Sequence, residues 1–581
     1  MNGTMTMNEL ALPPAVALLA GALVLPFLGR RLRSSAFIFF TMAALVLVIL
    51  LPDGARLPLR FLDNDLVPLR VDALSRVFGL VFAFIALAGG LYAFHLRDTG
   101  QQCAALVLAG GALGATFAGD LLSFYVFWEM MAASSVLLIW SSRNREARRA
   151  GLRYIFYHLF GGALLLVGIW MQAGRSGSLA MTALTPGSSA ASWLMLLGLA
   201  VNAAVVPLHT WLSDSYPKAT VTGAVFLSVF TTKTAVYALA RIFPGWEVLL
   251  WMGVVMTLYG VIFALLSDDI RGVLSYHIVS QVGFMVAGVG LGTEMGINGA
   301  TAHAFSHILY KALLFMAAGL VLHTTGRSRL SELGGLRSRL PAALVLYMIA
   351  AFSISGVPLF NGFISKSMTI SAATEAGQEA ARLLMILASV GTFLSVGLKL
   401  PYFTWFGKER RLRPEKAPLN MYLGMGLTAA VCVLHGVWPG LLYRWLPYPV
   451  HYRPYAWPHL SETVQLLALT LAAFWLCRRT LEPHAGLLLD VDWFFRRPAG
   501  FWRKVFVESP GRLFDWTTQV ASAVVRRGAA FRDNPYRLAG RDPESRAKYS
   551  QDRYRPQTRT LVSILLAVFA LLVIIGLIAT R

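Results

Sequence analysis

The sequence predicts an all-α, polytopic membrane protein of about 14–16 transmembrane helices, built as two inverted-repeat bundles with discontinuous helices. Three observations predict it. Of the 581 residues, 56% are hydrophobic and only 14% charged, where soluble chains carry roughly 25% charged. Apolar runs near the ~20 residues that span a bilayer recur from one end to the other. The formal net charge of +22 is gathered mostly in the loops between those runs, which points to membrane topology and away from nucleic acid.

Taken in order, residues 1–100 hold N-terminal helices with apolar runs at 12–29, 35–51 and 73–95. The first run has no basic stretch before it and no convincing cleavage site after it. It reads as a retained helix, not a removed signal peptide. A first bundle covers 101–270, with runs at 103–119, 121–140, 153–172, 193–209, 220–242 and 247–266. A second covers 271–442, with runs at 273–291, 298–323, 341–360, 382–404 and 419–440. Residues 443–477 add another helix, 478–560 form a basic segment, and 561–581 form a terminal anchor.

Alternate loops carry Arg30, Arg31 and Arg33; Arg143, Arg145, Arg148, Arg149 and Arg153; Arg327, Arg329, Arg337 and Arg339; and Lys408, Arg410, Arg411, Arg413 and Lys416. All fall on one side if every run crosses. The positive-inside rule puts that side in the cytoplasm and both termini outside. Within 478–560, Leu513, Trp516, Val520, Ala523 and Val524 recur at helical spacing beside Arg512, Arg526 and Arg527. Two readings stand: a helix in the interface or against a partner subunit, or a loop held on anionic lipid.

Cys103, Cys432 and Cys477 are scattered and form no CxxC pair, so neither a thiolate metal site nor an iron–sulfur cluster is expected. No Rossmann fingerprint or Walker loop occurs. No cofactor, metal or catalytic residue is therefore expected, and any redox activity would belong to partners. Whether the protein counts as an enzyme is left open.

The informative residues are ionisable groups inside the runs, each costing roughly 2.5–3.5 kcal/mol at mid-membrane on insertion scales. Glu129 and Lys233 sit mid-run in the first half; in the second, Lys311 lies inside its run and Lys399 near the end of its own. His303, His307 and Lys311 follow i, i+4, i+8 spacing, which stacks them on one helix face ~6 Å apart per step. Such a row suits a proton relay. Glu129 is the carboxylate placed to modulate Lys233. The plainer readings are a structural Glu129–Lys233 pair, a zinc site at the two histidines, and snorkelling of Lys399 and Lys366 to the interface. Pro207 and Pro217 bracket a polar patch between apolar halves, as do Gly356 and Pro358 in the second half. Paired breaks of this kind point to an inverted-repeat transporter.

Beyond these single residues, PLHTWLSDSYPKA, the Lys233 helix, HAFSHILYKALLF and GVPLFNGFISK closely resemble the antiporter-like membrane subunits shared by respiratory complex I, membrane-bound hydrogenases and Mrp-type sodium/proton antiporters. The resemblance covers roughly 70–450. YHIVSQ and LDVDWFFRRP look most like the D-type subunits of Mrp antiporters, while the long basic segment and last helix are similar to the lateral helix of the largest complex I antiporter-like subunit. The resemblance implies a proton path through a Glu129–Lys233 pair, a central Lys311 flanked by His303 and His307, and a terminal Lys399. His277 bridges a gap, and Arg271, which cannot deprotonate, tunes or anchors. The expected function is proton translocation in a multisubunit Na+/proton antiporter. The alternative is the pump subunit of a complex I-like quinone or ferredoxin oxidoreductase or of a hydrogenase. Further rivals are a carrier for another ion or for inorganic carbon, and a scaffold whose buried charges only lock helices. The expected partners are other membrane subunits, protons, possible Na+ and the lipid of a bacterial cell membrane, with no nucleic acid.

Overall fold

Eight of the helices start at a short polar residue. Asp72, Asp98, Asp120, Asn144, Ser189, Thr220, Asp269 and Thr293 each accept a backbone N–H in the first turn that follows, the role for which Asp, Asn, Ser and Thr are selected. The computed structural model describes residues 12–61, 64–187, 189–484, 486, 488–533 and 558–579. The chain divides into two compact units, Met1–Asp490 and Val491–Arg581.

The first unit opens with α1 (Pro14–Val24) and α2 (Arg30–Leu50), then an antiparallel hairpin, β1 (Arg56–Phe61) and β2 (Asn64–Arg70). There follow α3 (Ala73–Tyr92), α4 (Thr99–Phe117), α5 (Leu121–Trp140), α6 (Arg145–Ser176), α7 (Ala190–Asn202) and α8 (Thr210–Ser215). Next come α9 (Val221–Val229), α10 (Thr231–Ile242), α11 (Glu247–Leu266), α12 (Ile270–Leu291) and α13 (Glu294–Thr325). The unit closes with α14 (Pro341–Ser355), α15 (Asn361–Glu375), α16 (Glu379–Thr392), α17 (Leu419–Val437), the single turn α18 (Gly440–Tyr443) and α19 (Trp457–Cys477). Among the described residues eleven helices are long and apolar enough to cross a membrane, and four shorter apolar helices accompany them. The polytopic all-α fold stands.

The unit has two ends. At one, the hairpin end, Val67 N–H donates to Asp120 and Leu184 N–H to the Ile242 carbonyl, so the hairpin, the α4–α5 turn and the end of α10 lie together. Arg241 locks this end with two hydrogen bonds to Asp72, at 2.5 and 2.7 Å. Burial alone would raise the Asp72 carboxyl, but Arg241 outweighs it and holds the group below its ordinary value. The other, the basic end, carries the arginine-rich loops, where Ile270 N–H meets the Ser328 carbonyl and Asp98 pairs with Arg143.

Four crossings differ from the sequence expectation, the first being the run at 193–209, which is helical only to Asn202 and resumes in α8 at Thr210. The run at 341–360 is only the first half of a crossing that continues through α15 to Glu375, broken at Gly356–Phe360, where Gly356 takes a left-handed φ of 73°. The run at 220–242 is interrupted at Phe230, between α9 and α10. The run at 382–404 leaves α geometry for π-helical turns at Phe393–Lys399 and Tyr402–Phe406. The hairpin occupies the stretch between the runs at 35–51 and 73–95. Pro58 and Pro68 argue against strands, and the register shifts at Pro58, between Leu57 and Leu59, to accommodate the missing donor.

The two bundles carry like parts facing opposite ways. In the first, the broken crossing α7–α8 runs toward the basic end and the interrupted α9–α10 returns with Lys233. In the second, the broken crossing α14–α15 runs toward the hairpin end and α16 returns with Lys399 in its π-helical extension. Between them α11 and α12 cross at glycine contacts, Gly253 and Gly260 lying against the α12 backbone and Gly283 and Gly290 against that of α11. Small residues allow that approach.

The second unit contains the short turns α20 (Asp492–Arg496) and α21 (Ala499–Arg503), then α22 (Ser509–Asp533) and α23 (Thr558–Ala579). Leu513, Trp516, Val520, Ala523 and Val524 all lie on α22, as their spacing predicts. Residues 534–557 of the basic segment, and 580–581 of the terminal anchor, lie outside the described residues.

Candidate functional site

A helix that stops inside a bundle frees backbone carbonyls that need a donor. At the Phe230 interruption the donor is Lys233, whose Nζ lies 2.6 Å from the Ser228 carbonyl. At the α14–α15 break it is Lys366, with Nζ 2.6 Å from the Ile354 carbonyl and 3.4 Å from Ser389 Oγ. Lys366 is therefore buried, 3% exposed, and not at an interface as its place near a chain break suggested. It also lies over the Phe284 ring.

α13 passes between these two breaks. His303, His307 and Lys311 are all fully buried on it. His303 Nδ1 is 3.2 Å from Ser365 Oγ, one residue from Lys366, and its Nε2 is 3.5 Å from Tyr310 Oη. Both nitrogens of His307 and the Lys311 ammonium are buried with no hydrogen-bond partner among the described residues. His307 stands within electrostatic reach of Lys233, Lys311 and Lys366, and Lys311 within reach of Lys233. Burial at such cost calls for water or a mobile proton. His277 bonds Ser395 on the π-helical turn.

Other expected members lie elsewhere. Lys399 is 6% exposed and donates to the Leu265 carbonyl, 2.5 Å away, near the basic end of α11, with Asp268 in electrostatic reach. Glu129 is half-buried against Gly162 of α6 with Tyr125 beside it, and no ion pair within 4 Å joins it to Lys233 among the described residues. Between them lies a cluster the sequence did not announce: His158, stacked 4.0 Å from Tyr154 and edge-on to Trp211, with Asn202 at the end of α7 and Tyr216 and Thr231 nearby. Every one of these except Trp211 carries a buried polar atom without a protein partner among the described residues. His158 at mid-run in RYIFYHLFGG was the available signal.

The basic end of the first break is held by polar contacts. Arg153 and Lys218 pair with Asp214 at 2.7 and 2.5 Å. Arg271 donates to the Ala219 carbonyl at 2.7 Å and to that of Pro217, anchoring the turn Tyr216–Lys218. His209, next to the cluster and two residues past Pro207, is bonded to Asp490 from beyond α19.

At the hairpin end the second break opens into a cavity of about 110 Å³ lined by Lys366, Ser355, Ser367, Ser371, Thr374, Ser389, Arg382, Glu462 and His459 from α14, α15, α16 and α19. Its polar wall is mostly serine and threonine hydroxyls with Lys366, Arg382 and Glu462, which suits water, and Phe363, Ile370, Ile386 and Phe393 are among its apolar remainder. No group of three or more His, Cys, Asp or Glu residues among those described could hold a metal ion.

Residues 118–395, the stretch holding both breaks, Glu129, Lys233, Lys311, Lys366 and His277, His303 and His307, match the family described as NADH:quinone oxidoreductase/Mrp antiporter, transmembrane. An uncharacterised protein of Methanocaldococcus jannaschii is 30% identical over 350 residues, 57% of this chain and 73% of that protein. The D-type Na+/H+ antiporter subunit of Bacillus subtilis is 27% identical over 408 residues, 66% of this chain and 82% of the relative. Among solved structures, a chain of the Mrp complex from a Dietzia species superposes with a TM-score of 0.62 at 27% identity, covering 82% of this chain and 96% of its own. The glycine crossing, the broken helices and the buried lysines thus lie within a fold these proteins share, and the chain belongs to the NADH:quinone oxidoreductase/Mrp antiporter transmembrane family.

Proposed function

We propose that the chain is the proton-translocating membrane subunit of a multisubunit Na+/proton antiporter, placed in a bacterial cell membrane among other membrane subunits. The observation that carries this reading is the row of buried basic groups from Lys233 through Lys311, His307 and His303 to Lys366 and the cavity beside it. Lys233 and Lys366 are each held by a carbonyl that a helix break has freed, so a small movement at the break changes the lysine's solvation and its hold on a proton. Like charges on Lys233 and Lys311 repel, so loading one favours unloading the other. Glu129, His277 and Lys399 flank the row: Glu129 from the half-exposed face of α5, His277 against the π-helical turn, Lys399 toward the basic end.

The test is proton uptake into inverted membrane vesicles containing the assembled complex. Lys233→Ala and Glu129→Ala are expected to abolish uptake while the subunits still co-purify. Normal uptake in Lys233→Ala would sink the reading. Loss of assembly in place of uptake would favour a scaffold of locked charges. The family name itself supports a second reading, in which the same path is the pump arm of a quinone-linked redox complex. Flavin or iron–sulfur subunits in a gentle purification would select it, and small hydrophobic antiporter subunits alone would select the exchanger.

A further inference from the structure

We propose that Asp490, carried on the segment that follows α19, is a positioning carboxylate that makes His209 a proton relay at the basic end of the first broken crossing. The proposal rests on the proton-transport reading above and names a further residue for it. Asp490 is 8% exposed and His209 fully buried. His209 Nε2 lies 3.2 Å from Asp490 Oδ2, while the Tyr276 hydroxyl donates to the same oxygen at 2.7 Å and the Tyr259 hydroxyl to Oδ1 at 2.5 Å. The carboxylate thus draws together three elements: the broken crossing through His209, α11 through Tyr259 and α12 through Tyr276.

The chemistry of this contact is specific. A carboxylate only accepts, so His209 must present Nε2–H to it, which leaves Nδ1 as the nitrogen with a free lone pair. That Nδ1 is buried and has no hydrogen-bond partner among the described residues. A proton arriving at Nδ1 makes an imidazolium that Asp490 stabilises from the opposite side of the ring, and its departure from Nδ1 restores the same neutral tautomer. No bond other than N–H forms or breaks, and Asp490 keeps its charge throughout. The polar groups nearest the pair include the two tyrosines, Ser213 beside Tyr276 and, next to it on α8, Asp214, which is paired with Arg153 and Lys218.

A clamp made only for stability has no need of a buried carboxylate, which costs more to desolvate than an amide or hydroxyl in the same place. Position supports the same role. Tyr276 lies within the first two turns of α12 and Tyr259 about two turns from the end of α11, so the pair sits just inside the basic end. The second broken crossing opens at its own mouth to the cavity beside Lys366. At the first, the His209–Asp490 pair stands in the corresponding place.

The experiment uses the full-length protein in its assembled complex, with proton uptake measured across pH and normalised to assembled complex. Asp490→Asn should lower uptake about tenfold above neutral pH and move the alkaline limb of the profile down by about one pH unit, with Asp490→Glu restoring most of both. Tyr276→Phe, which removes the competing donor on Oδ2, should move that limb the opposite way. If Asp490→Asn does not assemble, Tyr276→Phe and Asp490→Glu still decide the matter, because a purely structural clamp changes the amount of complex and not its profile. Unchanged profiles in the variants that assemble would overturn the proposal. Lys233→Ala in parallel separates the two claims. If it transports normally, the proton reading itself fails. If it is inactive while Asp490→Asn keeps rate and profile, only the Asp490 assignment falls.

Discussion

Lys366 is the residue at which charge and proton carriage can be told apart. Its ammonium faces both the Ile354 carbonyl and the cavity. Arginine would keep the charge and the hydrogen bond but cannot give up a proton. Lys366→Arg should therefore lose proton uptake as fully as Lys366→Ala, at least about tenfold, and an active Lys366→Arg would show that only charge is needed there. The sequence led elsewhere, to Lys399, because distance from a run's end is visible in one dimension and burial by neighbouring helices is not. Asp490 supplies a second test. Burial alone would raise its carboxyl, but the bond and charge of His209 and the two tyrosine hydroxyls hold it at about 2. A depressed carboxyl stabilises the fold above its unfolded value near ~3.9 and loses that contribution as pH falls toward the folded value. The loss amounts to roughly 2 kcal/mol. Hydrogen exchange of the 478–490 segment should accordingly rise between about pH 4 and 2, and an Asp490→Asn protein should show no such step.

At the scale of elements, the α11–α12 crossing is the most demanding contact. A Cβ on Gly260 would meet the Tyr276 carbonyl and the Ser280 backbone, and one on Gly283 the Gly253 carbonyl and the Thr257 backbone. Backbone cannot step aside as a side-chain tip can. Gly260→Val is expected to cost at least about 1–3 kcal/mol and to deplete the protein from the membrane, read by immunoblot against Gly426→Val, where nothing lies within 4 Å. The helices themselves were legible because apolar runs and polar caps coincide, as at Asp120 and Asp269. The α14–α15 break was legible too, since Gly356 and Pro358 announce it. The interruption at Phe230 was not: LSVFTTK contains neither proline nor glycine, and only the pull of Lys233 on the Ser228 carbonyl marks it. The π-helical turns beside Lys399 were hidden because no residue pattern in one strand of text distinguishes them from an ordinary helix.

For the whole molecule, the arginine-rich loops and the hairpin define two faces that should lie on opposite sides of the membrane. With the native cysteines replaced, a cysteine at Arg145 should react with an impermeant thiol reagent only from the cytoplasmic side, and one at Thr185 only from the other. Labelling of both from one side would overturn the crossing order. The row of buried lysines and histidines was partly legible at this scale: single-helix spacing placed His303, His307 and Lys311 together, but the meeting of α13 with both breaks depends on packing between helices far apart in sequence. That packing sets like parts head to tail, one broken crossing toward the basic end and the other toward the hairpin end. A machine assembled this way has no arrow of its own. Its sense of operation is set by whichever gradient is steeper, so vesicles loaded to reverse the proton gradient should run the same row backwards at a comparable rate.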